Sequence, residues 1–157
     1  MPHVPAVAIP RECTIADALE IVGDRWSLLV VRELFYDQLR FSQIARNTGA
    51  PRDVLTVRLR KLVEHGVIAR EQYSERPVRY EYRLTPAGRA LSPVLLTLKK
   101  WGSDHARPGV DPAPLLHTCG EEFVAHVHCR ACGEGLAAGE LSLGAPRAGD
   151  VWLGARV

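Results

Sequence analysis

Long apolar runs are missing from this 157-residue sequence: none approaches the ~18 residues that a helix needs to cross a bilayer. The N-terminal stretch lacks the basic flank and apolar segment of a secretion signal, so the expected location is the cytoplasm. Cysteine is sparse, at four residues. In a reducing compartment these are expected to be metal ligands, redox sensors or plain buried thiols rather than a disulfide scaffold. Also absent are a glycine-rich phosphate loop, a His-Glu-x-x-His helix and a nucleophile–base pair, which leaves an enzyme reading without support. No internal repeat is visible. The net charge of +2 argues by itself for no particular partner.

The distribution of charge says more than its sum. Residues 1–107 carry 17 Lys/Arg against 12 Asp/Glu, whereas residues 108–157 carry 3 against 6. The front part is therefore the expected partner of a polyanion. Proline and cysteine content change at the same place. This predicts an N-terminal arm over 1–12, a main domain over 13–107 and a small cysteine-containing appendage over 108–157. A hydrophobic fraction of 46% suffices for a packed core.

The periodicity predicts helices first. Ile15, Ala18, Leu19 and Val22 form one stripe, and Gly23 ends it. Asp24 caps a second helix whose Trp26, Leu28, Leu29, Val30, Val31 and Leu34 are apolar nearly all round, as suits a core helix. Ser42 is expected to cap a short third helix ending at Thr48-Gly49. Pro51 is expected in the first turn of a fourth, which runs to about His65 with Gly66 as its left-handed cap. Two strands, 68–73 and 79–84, flank a polar turn at 74–78 and make a hairpin. Thr85-Pro86 then opens a last long helix with the stripe Leu91, Leu95, Leu98 and Trp101, bent at Pro93.

Two close helices, a tight turn between them and a hairpin directly after define a winged helix-turn-helix: a mainly α fold with a β wing. At 100° per residue, Leu55, Leu59, Leu62 and Val63 of the fourth helix share one side. The other side carries Asp53, Thr56, Val57, Arg60, Lys61 and Glu64. Arg52, Asp53, Thr56 and Val57, near the N-terminal end, are the candidates for reading base edges in a major groove; Ser42, on the preceding helix, is a further candidate for contacting the DNA. Arg60 and Lys61 are the candidates for phosphates. Arg58 lies at the flank, with a phosphate and a carboxylate as alternative partners. Arg76 and Arg79 are expected at the wing tip, where they would straddle the backbone or enter the minor groove; Glu75 and Glu81 dilute that charge, and a solvated loop is the plain alternative.

From Cys13 to Trp101 the chain resembles the HxlR-type regulators, relatives of the MarR group. The matching pieces are Cys13-Thr14-Ile15, Val22-Gly23-Asp24-Arg25-Trp26, Arg40-Phe41-Ser42-Gln43-Ile44, the Leu55-to-Leu62 segment, Val78-Arg79-Tyr80-Glu81-Tyr82 and Leu84-Thr85-Pro86-Ala87-Gly88. The resemblance implies a homodimer built on the first and last helices and transcriptional control from a near-palindromic stretch of double-stranded DNA. It also implies that Cys13 senses oxidants or electrophiles. A place at a helix N-terminus beside Arg11 suits a reactive thiol, and an inert, partly buried one is the alternative. An apolar pocket between the dimer helices and the core would suit a small-molecule effector.

The appendage holds His117-Thr118-Cys119-Gly120 and Cys129-Arg130-Ala131-Cys132-Gly133. Cys-x-x-Cys-Gly is a common half of a zinc knuckle. The expected structural zinc site is His117, Cys119, Cys129 and Cys132, with His126 or His128 as alternative fourth ligands. A redox-active pair or a metal-free appendage are the other readings. Two rival functions stand beside DNA binding: a winged helix that binds an acidic protein, and a zinc or redox enzyme using the tail cysteines.

Overall fold

The computed structural model describes residues 13–109, 111–136 and 141. The proposed arm over 1–12 lies outside the described residues, as does most of the segment after 136. The elements in chain order are α1 (Thr14–Val22), α2 (Arg25–Phe35), α3 (Phe41–Thr48), α4 (Arg52–Glu64), β1 (Ile68–Glu75), β2 (Val78–Leu84), α5 (Pro86–Arg89) and α6 (Ser92–Trp101), followed by a π-helical turn over Gly102–Ala106. No described helix is long and apolar enough to cross a membrane.

Local chemistry sets the boundaries. The Asp24 carboxylate accepts from the backbone N–H groups of Trp26 and Ser27, at 3.0 Å each, and so satisfies two of the free donors at the start of α2. Burial disfavours its charge. The hydroxyl and N–H of Ser27, the Arg58 charge and the Trp26 N–H more than offset this and hold the carboxyl below its ordinary pKa. Gly66 ends the α4 region in the left-handed conformation, φ 66°.

Two helix starts differ from expectation. Ser42 lies inside the first turn of α3, and Arg40 holds the cap position. Gln43 explains the difference: its side-chain oxygen reaches back to accept from the Arg40 N–H at 3.0 Å. Pro51 precedes α4 as its cap residue instead of opening its first turn.

The expected single helix after the wing is broken into α5 and α6. Thr85 caps α5 as expected, its hydroxyl accepting from the Gly88 N–H at 3.1 Å. Pro93 has no N–H to offer the Arg89 carbonyl one turn back, and its ring crowds that carbonyl. The Ser92 hydroxyl donates to the Arg89 oxygen instead, at 2.7 Å.

The core is one cluster. Val30, Val31 and Leu34 of α2 meet Ile44 of α3, Leu55, Leu59 and Leu62 of α4, and Ile68 of β1. Leu84, Leu91 and Leu95 pack against its edge. The strands pair antiparallel, Ile68 opposite Leu84, with an irregularity between Gln72 and Ser74. They run longer than expected and leave only Arg76-Pro77 as the tip. The Leu39 carbonyl accepts from the Tyr82 N–H at 2.8 Å, and Arg40 pairs with Glu81 in a single antiparallel bridge. The wing is thus stapled to the entrance of α3.

Candidate nucleic-acid interface

The α3–α4 turn is fixed by a left-handed glycine, two hydrogen bonds of Thr48 and the burial of Ala50. Gly49 takes φ 70°, which a side chain would strain. The Thr48 hydroxyl donates to the Ile44 carbonyl at 2.7 Å and accepts from the Ala50 N–H at 3.2 Å. Ala50 is buried beneath the turn. Leu55, Leu59 and Leu62 then anchor α4 on the core, which commits its opposite side to solvent.

Arg52, Asp53, Thr56, Val57 and Arg60 are all exposed, as the periodicity requires. The Arg52 guanidinium rests 4.9 Å from the Phe41 ring centroid, which holds it at the junction of the two helices. The Thr56 hydroxyl donates back to the Arg52 carbonyl at 2.7 Å and keeps an acceptor free. Ser42 is exposed on α3.

Lys61 departs from expectation. It is half-buried, and its ammonium donates to the Glu20 carbonyl of α1. That carbonyl belongs to the last turn of α1, where acceptors lack helical partners and attract cations. Lys61 therefore joins α4 to α1 and leaves the phosphate role to Arg60. Arg58 resolves toward the carboxylate: its Nε lies 3.3 Å from Asp24 Oδ1, within ion-pair range but without hydrogen-bond alignment.

On the wing, Arg76 is exposed at the tip. Arg79 is exposed inside β2, opposite Ser74, so it sits beside the tip instead of on it. Arg83 lies between Glu81, at 2.5 Å, and Glu71, at 3.1 Å, which raise the guanidinium's pKa further and neutralise its charge. Two cations went unnoticed in the sequence. Arg40 places its guanidinium 5.0 Å from the Tyr73 ring and so spans from α3 to the wing. Arg70 stacks at 3.6 Å on Tyr80. No local signal marks either pair, because the rings lie 33 and 10 residues away in sequence and meet the cations only in the folded chain.

Cys13 is half-buried at the cap position of α1. The tail cysteines are exposed and unpaired. They occupy two tight turns, closed by the bridges Leu116–Glu122 and His128–Gly135. His117 Nδ1 lies 3.3 Å from Cys119 Sγ in the first. In the second, the N–H groups of Cys132 and Ala131 and the Cys132 thiol point at the Cys129 sulfur and lower its pKa. Among the described residues no three metal-ligating side chains come together. As placed, His117, Cys119, Cys129 and Cys132 are two separate pairs and do not form the four-ligand set that zinc requires.

A core of helices, a helix-turn-helix with an exposed polar face on its second helix and a stapled β-hairpin beside it define a winged helix-turn-helix protein. Residues 21–109 match the HxlR-like helix-turn-helix family model. An HTH-type transcriptional regulator of Mycobacterium tuberculosis is 47% identical over 127 residues, covering 80% of each chain. Another from Synechocystis is 44% identical over 93 residues, 59% of this chain and 69% of its own. The crystal structure of PA1607, a candidate transcription factor, superposes with a TM-score of 0.75 at 34% identity, covering 85% of this chain and 94% of that one. The oxidised redox regulator HypR superposes at 0.55 with 32% identity, covering 59% and 97%. The chain belongs to the HxlR-like family and is a DNA-binding transcription regulator.

Proposed function

We propose that two copies of the chain bind a near-palindromic operator, each laying α4 in a major groove with Arg52, Asp53, Thr56 and Val57 toward base edges. Ser42, Arg60, Arg76 and Arg79 meet the backbone or the adjacent minor groove. The observation that carries this reading is the solvent-facing side of α4: Arg52, Asp53, Thr56 and Arg60 are left uncovered while Leu55, Leu59 and Leu62 are wholly buried. One such helix reaches few bases, so specificity requires a second half-site about one helical turn away.

The same accounting supports a dimer through α1 and α6. Ile15 and Leu19 of α1 and Val94, Leu98 and Trp101 of α6 are exposed apolar side chains on helices already folded against the core. Cys13 begins α1, so oxidation or alkylation there would act on the proposed seam. The redox regulator HypR among the similar structures supports that route. Cys13→Ser is expected to abolish any change in duplex binding caused by diamide; an unchanged response in the variant removes the sensor role.

Selection of bound fragments from genomic DNA tests the main reading. One recurrent two-fold motif is expected, with affinity falling steeply as salt rises because phosphate contacts release counterions. Binding that ignores sequence, or none in dilute buffer, overturns it. The tail has no part in this mechanism. A structural zinc would have to draw its two turns together; elemental analysis near one zinc per chain supports that assignment, and a value under ~0.2 ends it.

A further inference from the structure

We propose that Val57 reads a thymine in each half-site, by packing on the C5 methyl group that this base presents in the major groove. This rests on the regulator reading above and names the chemistry of one contact within it. Among the large apolar side chains of α3 and α4, Val57 alone is exposed, at 54%. It takes no part in the core cluster. A β-branched residue is also a modest helix former. Neither burial within the chain nor helix propensity accounts for a valine here.

Its position decides what can cover it. At about 100° per residue, Asp53, Val57, Arg60 and Glu64 lie along the line of α4 opposite Leu55, Leu59 and Leu62. Asp53 stands one turn before Val57, and Arg60 one turn after. Both are exposed, and neither has an ion-pair partner among the described residues. The apolar spot is thus one side chain wide, between a carboxylate and a guanidinium. A protein interface centres on a wider apolar cluster, and the residues for one lie elsewhere, on α1 and α6. A single methyl group set between polar edges matches Val57 instead.

Duplex DNA supplies that group in one form. The major-groove edges of the bases present hydrogen-bond donors and acceptors, and the C5 methyl of thymine is the apolar group among them. A valine in a helix keeps nearly one χ1 rotamer, so its two methyl groups are fixed before contact and little freedom is lost on binding. Beside it, the Thr56 hydroxyl donates its hydrogen to the Arg52 carbonyl at 2.7 Å and offers the groove only an acceptor. Hydrogen-bond readout then falls to Arg52 and Asp53 in the first turn of α4. Val57 separates thymine from cytosine, and from uracil, by the methyl.

The full chain is titrated with the duplex selected from genomic DNA, and with copies in which one thymine per half-site is replaced by uracil, position by position. Uracil lacks the methyl and keeps every hydrogen-bonding group. At one position, changing both half-sites is expected to weaken binding about fifteenfold, roughly fourfold for each methyl. Val57→Ser is expected to bind the thymine and uracil duplexes alike, as weakly as the unmodified chain binds the uracil one, with circular dichroism and salt dependence unchanged. Val57→Ile, which keeps an apolar contact, is expected to retain the preference for thymine. No position sensitive to the methyl, or a sensitivity that persists at full size in Val57→Ser, overturns the assignment. Weakening of the thymine and uracil duplexes by the same factor in Val57→Ser also overturns it, since that is the mark of a purely structural role. A specific operator indifferent to uracil sinks this inference and leaves the regulator reading standing. Binding without sequence preference sinks both.

Discussion

Helices α4 and α6 are both amphipathic, yet the chain treats their apolar faces differently. On α4, Leu55, Leu59 and Leu62 are 0%, 1% and 0% exposed. On α6, Val94, Leu98 and Trp101 are 50%, 49% and 58% exposed. The stripe on α4 is used up in folding one chain, which frees its polar side for a polyanion. The stripe on α6 is only half used, by Leu91 and Leu95 at the core's edge, and the remainder is left for another surface. An amphipathic pattern specifies that a face must be covered, but not by what.

The largest expected effect breaks the α4 side of this contrast. Leu59→Ala leaves a cavity in the centre of the core and is expected to cost about 2–5 kcal/mol in urea unfolding. Trp101→Asp on α6 is expected to spare monomer folding but weaken self-association by about 2 kcal/mol or more, read by sedimentation. Equal loss of folding in both variants would erase the distinction between the two faces.

Smaller effects sharpen it. Asp24→Ala removes the cap of α2 and the partner of Arg58, at about 1 kcal/mol. Because folding lowers the Asp24 pKa, its stabilisation is complete above the ordinary carboxyl value of about 4 and is lost as pH falls through the lower folded value. Stability of Asp24→Asn should therefore change less than wild type below about pH 4. The smallest contrast separates two neighbours on α4. Arg60→Ala is expected to lower the slope of log affinity against log salt by about 1, whereas Lys61→Ala, whose ammonium is held by α1, leaves that slope unchanged. A matching drop in both would return Lys61 to the phosphate-facing set.

Much of the fold was legible because its signals are local. Asp24, Thr85 and Gly66 each act within four residues of themselves, so their roles as caps follow from spacing. The inner and outer sides of α4 follow from its period. The errors fall where the partner is distant. The Glu20 carbonyl that holds Lys61 is 41 residues away, and the bridge between Arg40 and Glu81 joins elements that only the folded chain brings together. At Ser42 the competition is local: the Gln43 side chain does the capping and shifts the helix start to Arg40. Pro93 alone predicts a bend; the Ser92 hydroxyl that satisfies the freed carbonyl makes a full interruption tolerable.

By itself the sequence determined the order of the elements, the helix-turn-helix and its outward residues, since periodicity and capping are properties of neighbours along the chain. Tertiary structure decided which cations remain free, which apolar faces stay open and whether the tail's ligands converge. Those outcomes depend on distances between segments far apart in sequence, and no local pattern encodes them.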